Sequence, residues 1–203
     1  MKIITLDPGP RFSSNCYIVV SDNEAVVIDP SFPHETVRER IGDAKLSGVL
    51  LTHAHFDHFL CIDSYRGIPV YVGAQDAPAL RDSQLNGYRL FLGENRGYFG
   101  DYNVLAAGDR IKLGGAELSV IETPGHTKGS VSLLANGAVF VGDLVFADGG
   151  YGRTDLFGGS FAELMRSIDK ITELDESTVI YPGHGRALDV REIRRYFGQK
   201  KEN

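Results

Sequence analysis

Residues 52–58 read Thr52-His53-Ala54-His55-Phe56-Asp57-His58, so three of the chain's six histidines fall within six positions. They directly follow the apolar residues 49–51, which predict a short buried strand. His53 and His55 are two positions apart, and an extended segment therefore turns both imidazoles to the same side. Asp57 and His58 lie just beyond, where the chain turns. Because imidazole nitrogen and carboxylate oxygen suit zinc, iron and manganese, this loop predicts ligands for two adjacent metal ions.

Two further histidines follow predicted strands in the second half of the chain. One lies in Thr123-Pro124-Gly125-His126-Thr127, and the other lies in Tyr181-Pro182-Gly183-His184-Gly185. Loops at strand ends are where a rigid scaffold usually presents reactive groups. Asp143, in Val141-Gly142-Asp143, ends another predicted strand, and its carboxylate is the best candidate for a bridge between two cations.

Composition favours one globular domain over residues 1–203, with 42% hydrophobic and 24% charged residues. The net charge of -6 argues against a nucleic-acid partner. No stretch approaches the roughly 18 apolar residues of a membrane span. The two cysteines do not make a disulfide framework, which favours a reduced, cytoplasmic protein. We therefore expect a small-molecule substrate, with neither nucleic acid nor membrane as a partner.

Short apolar segments separated by glycine-containing turns predict many strands. They cover residues 3–6, 16–20, 25–28, 49–51, 69–72, 110–113, 117–122, 130–134, 138–141 and 178–181. Helices are predicted at residues 33–41, 57–66, 75–81, 161–171 and 190–197, with Ser160 and Glu163 forming a capping box. Residues 83–103 show no clean period and predict an irregular loop that forms one wall of a substrate cleft. This mixture predicts two sheets sandwiched between helices.

The motifs HAHFDH, TPGHTKGS, VGDLVF and YPGHG, in this order, resemble those of the metallo-β-lactamase superfamily. The resemblance implies an α/β (α+β) fold, a four-layer αββα sandwich with two divalent metal ions at one edge between the sheets. The ions are expected to be zinc, with iron or manganese as alternatives. The resemblance assigns three side chains to each ion and one that bridges them: His53, His55 and His126 for the first, Asp57, His58 and His184 for the second, and Asp143 as the bridge.

The segment Gly150-Tyr151-Gly152-Arg153-Thr154-Asp155-Leu156 resembles the glyoxalase II-like branch, the hydroxyacylglutathione hydrolases. That resemblance implies hydrolysis of a thioester such as S-lactoylglutathione by a metal-bridging hydroxide, with Asp57 as the catalytic residue that orients the water. It assigns Arg153 and Tyr151 to substrate binding, while an ion pair with Asp155 is an equal alternative for Arg153. Zinc β-lactamases have a cysteine where this chain has Asp143, which argues against antibiotic hydrolysis.

Several alternatives stay open at this point. Persulfide dioxygenases share the Arg153 segment, and the resemblance would place their single iron on His53, His126 and Asp143. A lactonase or a phosphodiesterase of the same superfamily is a further candidate. The residues after His184 are too few for the C-terminal glutathione-binding helical domain of full-length glyoxalase II, so none is expected. Cys61 is either a buried thiol or a neighbour of the metals, and Asp29 either orients a ligand histidine or caps a turn.

Overall fold

A computed structural model describes residues 1–9 and 13–198, which form two six-stranded mixed sheets. The first sheet has its strands in sequence order: β1 (Lys2–Leu6), β2 (Cys16–Ser21), β3 (Glu24–Ile28), β4 (Lys45–Leu50), β5 (Val70–Gly73) and β6 (Asn103–Leu105). The second runs β12-β11-β10-β9-β8-β7, where the strands are β7 (Arg110–Leu113), β8 (Ala116–Glu122), β9 (Val131–Ala135), β10 (Ala138–Gly142), β11 (Val179–Pro182) and β12 (Leu188–Asp189).

Three apolar clusters separate four layers. The central cluster joins side chains from both sheets, among them Ile28 of β3 and Phe140 of β10, and so forms the core between the sheets. A second cluster packs α1 (His34–Ile41) and the segments after β4 on the outer face of the first sheet. A third packs α2 (Phe161–Thr172) and α3 (Val190–Phe197) on the outer face of the second sheet. The predicted αββα sandwich is confirmed.

The helices begin at sequence-encoded caps. Ser160 Oγ accepts a hydrogen bond from the Glu163 N–H, as predicted for the start of α2. The backbone N–H of Ser160 donates instead to the Gly125 carbonyl at 2.8 Å, so the Glu163 half of the predicted capping box is wrong. Asp189 caps α3 in the same way, through the Glu192 N–H.

None of the helices within residues 1–9 and 13–198 has the length and apolar composition of a membrane span.

The predicted helix at residues 57–66 is wrong, and tertiary hydrogen bonds explain why. An α-helix would join the Cys61 N–H to the Asp57 carbonyl. The Cys61 N–H donates instead to the Pro30 carbonyl at 3.0 Å, and the Asp57 carbonyl accepts from the Ser14 N–H and hydroxyl. The segment therefore folds as two 3₁₀ turns, Phe56–His58 and Ile62–Ser64.

Other local predictions need smaller corrections. The helix predicted at residues 75–81 is a 3₁₀ helix over Ala77–Arg81. The predicted loop at residues 83–103 contains a π-helical turn, Tyr88–Leu92, between two left-handed glycines at 87 and 93. Strands β6 and β12 were not predicted. Both are short edge strands of three and two residues, too short for a period to show.

Parallel pairing brings the metal-binding motifs to one edge of the sandwich. Strands β10 and β11 are parallel, so the residues that follow them lie side by side, and the Gly183 N–H donates to the Gly142 carbonyl at 2.7 Å. Residues 52–58 follow β4, and the Val131 N–H of the second sheet donates to the Thr52 carbonyl at 2.8 Å. The first bond aligns the ends of β10 and β11 within the second sheet, and the second bond holds the ends of the two sheets against each other.

We expect Ile168→Ala to lower the free energy of unfolding by about 2–5 kcal/mol. Ile168 lies on the fully buried face of α2, and its truncation leaves a cavity. The matched control on the same helix is Arg166→Ala. Arg166 is exposed, so its loss should change stability by no more than about 0.5 kcal/mol. Urea unfolding followed by circular dichroism measures both, and equal losses would contradict this packing.

Candidate metal centre

All seven side chains predicted as metal ligands converge at this edge. Their donor atoms form three groups, each with its atoms within 4.8 Å of one another: His53, His55 and His126; His53, His58 and Asp143; Asp57, His58 and His184. The first group and the third group are the two ligand sets predicted for the separate ions. The middle group connects them, because it shares one histidine with each.

Asp143 lies between the two sets with one oxygen toward each side. Its Oδ2 is 3.6 Å from His126 Nε2, and its Oδ1 is 3.3 Å from His58 Nε2 and 3.6 Å from His184 Nε2. The Asp57 carboxylate belongs to the second ligand set. Its Oδ2 lies 3.2 Å from His184 Nε2 and 3.7 Å from His58 Nε2. The carboxylate of Asp143 therefore has the position that a bridging ligand requires.

Hydrogen bonds behind the histidines aim their ring nitrogens at the centre. His58 Nδ1 donates to Asp29 Oδ2 at 2.8 Å, and His126 Nδ1 donates to the Arg153 carbonyl at 2.7 Å. His53 Nδ1 lies 3.2 Å from Thr52 Oγ1. With the proton held on Nδ1, Nε2 of His53 and of the neutral His58 ring presents a lone pair to the centre, and His126 Nε2 lies 2.8 Å from His55 Nδ1. The structure therefore supports the orienting role for Asp29, which the sequence had left open.

Several buried donor atoms of this cluster have no hydrogen-bond partner within the described residues. They include Nε2 of His53, Nε2 of His58 and Oδ1 of Asp143. Buried polar atoms in native proteins are normally paired, and leaving one unpaired costs about 1–3 kcal/mol. A cation among these donor atoms would accept a lone pair from each of them. The residues thus fit bound metal ions.

The electrostatics of the cluster favour the ligand forms of His53, His55 and Asp143. Burial alone would lower the pKa of His58 and of His184, but the neighbouring carboxylates raise both overall, so a metal ion must displace a proton there. Burial and the neighbouring imidazoles lower the pKa of His53 well below its ordinary value, and the same causes lower the pKa of His55 to about 3. Burial alone would raise the pKa of Asp143, but His58, His126 and His184 lower it overall. At neutral pH the first two imidazoles are therefore neutral and the carboxylate is ionised, which are the states that bind metals.

A cavity of about 190 Å³ opens above the donor atoms. Its lining combines donors with apolar and basic side chains: His55, Phe56, Asp57, Phe91, His126, Asp143, Phe146, Gly152, Arg153 and Leu156. Phe91 belongs to the segment predicted as a cleft wall. The Arg153 guanidinium lies 5.6 Å from the Phe91 ring and also pairs with the Asp155 carboxylate at 2.7 and 2.8 Å. Both proposed positions of Arg153, at the cavity and in an ion pair, are therefore present.

The family model of the metallo-beta-lactamase superfamily matches residues 9–184. The chain belongs to this superfamily. The probable metallo-hydrolase YqgX of Bacillus subtilis (strain 168) is 36% identical over 199 residues, and the alignment covers 94% of this chain and 93% of that protein. The hydroxyacylglutathione hydrolase GloC of Haemophilus influenzae is 29% identical, with 95% of each chain covered. The protein is thus a metallo-hydrolase of the superfamily.

Solved structures agree with this assignment. The crystal structure of BLEG-1 B3 metallo-beta-lactamase superposes with a TM-score of 0.86 at 33% identity, covering 96% of this chain and 97% of that one. TTHA1623 in a di-iron-bound form superposes with a TM-score of 0.78 at 28% identity and the same coverage. The metallo-β-lactamase fold predicted from the motifs is therefore confirmed.

Asp76 supports the metal centre and was missed from the sequence. Its Oδ2 accepts from the Ala54 N–H at 2.9 Å and from Thr127 Oγ1 at 2.7 Å, and its Oδ1 accepts from the Gly129 N–H at 2.7 Å. The carboxylate therefore ties the first histidine loop to the loop that carries His126. Asp76 follows strand β5, so the strand-end position that marked the ligand residues also marks this one.

Two other side chains lie away from the donors. Cys61 is half-buried and its Sγ donates to the Ser31 carbonyl at 3.3 Å, outside the donor groups. The Tyr151 ring lies 5.6 Å from Phe161 and 6.5 Å from Phe197, and it is 43% exposed. Tyr151 therefore packs against the helices of the second sheet and is not among the residues that line the cavity, and its contact with substrate stays a prediction.

We expect Asp29→Asn to weaken metal binding by about 10–100-fold, the usual effect of losing a partner behind a ligand histidine. The variant removes the ionised acceptor of His58 and one acceptor of Thr52 while keeping the side-chain size. Asp22→Asn is the control, because Asp22 shares the left-handed backbone (φ 51°, against 54° for Asp29) but its carboxylate accepts from the Gly115 N–H and not from a ligand histidine. Chelator-competition titration measures the affinities, and equal affinities of the two variants would contradict the role of Asp29.

We expect Gly183→Ala to lose metal at the His184 side of the centre. A Cβ there would overlap Asp143 Oδ1 and lie 2.6 Å from His58 Cε1, so both donors must move. Gly185→Ala is the control. A Cβ at residue 185 meets nothing within 4 Å, although its φ of +76° adds backbone strain of order 1 kcal/mol. Elemental analysis should show reduced metal only in Gly183→Ala, and full metal content there would contradict this geometry.

Proposed function

We propose that the protein hydrolyses thioesters of the hydroxyacylglutathione type, such as S-lactoylglutathione, with two divalent metal ions, zinc first among them. The observation that carries the proposal is the position of Asp143 between two three-donor groups beneath a cavity. Zinc accepts both the imidazole and carboxylate donors found here and the thiolate that thioester cleavage releases. We also propose that the enzyme acts in the cytoplasm on a small molecule.

Each side chain has a distinct part in this proposal. His53, His55 and His126 would hold the first ion, Asp57, His58 and His184 the second, and Asp143 would bridge them. When bound, the ions supply a water of lowered pKa and an electrophilic centre for the carbonyl oxygen. No Gly-x-Ser-x-Gly elbow occurs in the sequence, so no protein nucleophile is assigned.

Asp57 is proposed as the catalytic residue. It lines the cavity, its side chain is 17% exposed, and its Oδ2 lies at the His184 side of the centre. Burial alone would raise the pKa of Asp57, but His58 and His184 lower it overall, so the carboxylate is ionised at neutral pH. An ionised carboxylate at the cavity floor accepts a hydrogen bond from water and orients the oxygen lone pairs toward the substrate.

The walls of the cavity exclude solvent and position the substrate. Phe56, Phe91 and Phe146 present apolar surface around the donors. Arg153 is the basic side chain at this cavity, and we assign it to the anionic part of the substrate, with Asp155 holding the guanidinium in place. The similarity to GloC over 95% of each chain supports this choice of substrate class.

A persulfide dioxygenase with a single iron is the second candidate, and the iron-bound form of TTHA1623 supports its choice of metal. In that case the substrate would be a persulfide. The test is a panel assayed with protein loaded separately with zinc, manganese or iron. It contains S-lactoylglutathione, an acyl lactone, a phosphodiester, a β-lactam and glutathione persulfide. We expect the thioester to be the best substrate of the zinc form. Oxygen uptake with the persulfide, or a faster reaction with another class, would contradict the proposal.

We expect Asp57→Asn to lower turnover of the thioester by about 100-fold or more. A positioned general base usually contributes at least that much, and the amide cannot accept a proton from water. Metal occupancy should fall as well, because Asp57 is a donor of the second group. Asp63→Asn is the control, since Asp63 is an exposed aspartate outside the donor groups. Steady-state kinetics and elemental analysis report the two effects, and unchanged turnover in Asp57→Asn would exclude its catalytic role.

A further inference from the structure

A second and larger cavity opens on the other side of His55. Its volume is about 490 Å³, against about 190 Å³ for the cavity at Arg153, and His55 lines both. Sites that bind small molecules usually measure about 300–1,000 Å³, and the larger cavity is within that range. The two cavities therefore adjoin at His55, and the larger one lies on the side lined by Lys128 and Phe157.

The walls of this cavity are mainly apolar. Pro78, Ala79 and Leu85 line one side and Phe157 the other. Phe157 is 71% exposed, so the cavity presents an aromatic ring to solvent at its mouth. The Phe157 segment packs closely against Lys128, because a Cβ at Gly158 would lie 3.3 Å from Lys128 Cβ. An apolar group bound here would cover surface that water now contacts.

Lys128 lines the same cavity and brings a positively charged ammonium group to it. Among the described residues, no carboxylate lies within ion-pair distance of its ammonium group, whereas Arg153 at the other cavity is paired with Asp155. Asp76, which also lines the larger cavity, is fully engaged by the Ala54 N–H, the Thr127 hydroxyl and the Gly129 N–H. Lys128 is therefore the cation of this rim that remains available to a ligand.

We propose that this cavity is a second substrate subsite, which takes an apolar group that ends in a carboxylate. The apolar segment contacts Leu85 and Phe157, and the carboxylate pairs with Lys128, while the scissile group lies at the donor atoms beside His55. This inference rests on the proposed function, because it names the group of a thioester substrate that lies beside His55. The carboxylate belongs either to the acyl group or to the thiol, and the test separates these sources.

The test measures binding of uncleavable thioethers to metal-loaded protein by isothermal titration calorimetry. For the acyl side, the pair is S-hexyl- and S-(5-carboxypentyl)-N-acetylcysteamine, which differ in the terminal carboxylate. For the thiol side, the pair is S-methyl-N-acetylcysteamine and S-methylglutathione. In one of the pairs, we expect the carboxylated member to bind about fivefold more tightly, the upper range for a solvent-exposed ion pair.

Variants of Lys128 show whether the preference for the carboxylated member depends on the Lys128 ammonium group. Lys128→Ala should abolish it, Lys128→Arg should restore it, and the control Lys112→Ala, which removes an exposed lysine of β7, should leave it intact. Equal binding within both pairs, or a preference that survives Lys128→Ala, would overturn the inference. Because binding is measured without turnover, a Lys128-dependent preference in a protein that cleaves no thioester would instead refute only the proposed function.

Two exposed phenylalanines test the apolar wall separately. Phe157→Ala should weaken binding of the S-hexyl thioether about threefold or more, because its ring lines the cavity. Phe99→Ala is matched to it, since Phe99 is 72% exposed but does not line this cavity. Equal affinities for these two variants would contradict the placement of the apolar group.

Discussion

The packing of buried imidazole and carboxylate donors around a common point is the constraint on which this molecule depends. Such an arrangement is costly in the absence of a cation, because lone pairs face one another and several buried atoms lack partners. Metal binding converts that cost into stabilisation, since the ions bind the folded state and not the scattered side chains of the unfolded chain. The metal centre is therefore also an element of the fold.

One edge of the sandwich positions these donors. Parallel strands β10 and β11 deliver Asp143 and His184 side by side, and glycine at residue 183 leaves room for the Asp143 carboxylate. Two buried carboxylates behind the ligands complete the support. Asp29 fixes His58, and Asp76 joins the loop of the first histidines to the loop of His126. Donor positions are thus set by backbone pairing and by fixed hydrogen bonds, which is how precise ligand geometry is maintained.

The convergence of the seven candidate donors was predictable because their signals are local. His53, His55 and His58 follow one strand, and Asp143 ends another, so residue type and position were sufficient. The features that the sequence did not predict depend on distant partners. The helix expected at residues 57–66 was replaced by 3₁₀ turns because Pro30 and Ser14 take its hydrogen bonds. Tyr151 adjoins Arg153 in sequence, yet the contacts of its ring with Phe161 and Phe197 come from the second sheet's helices and leave no trace in the motif.

The most direct test of the metal centre is the number of ions per chain. Elemental analysis is made on native protein and on Asp143→Ala, both purified without chelators from metal-replete medium. We expect two divalent ions per native chain, with zinc dominant, and clearly fewer in the variant, because Asp143 faces both donor groups. A single ion in the native protein, or two ions in both proteins, would contradict the bridged two-metal centre.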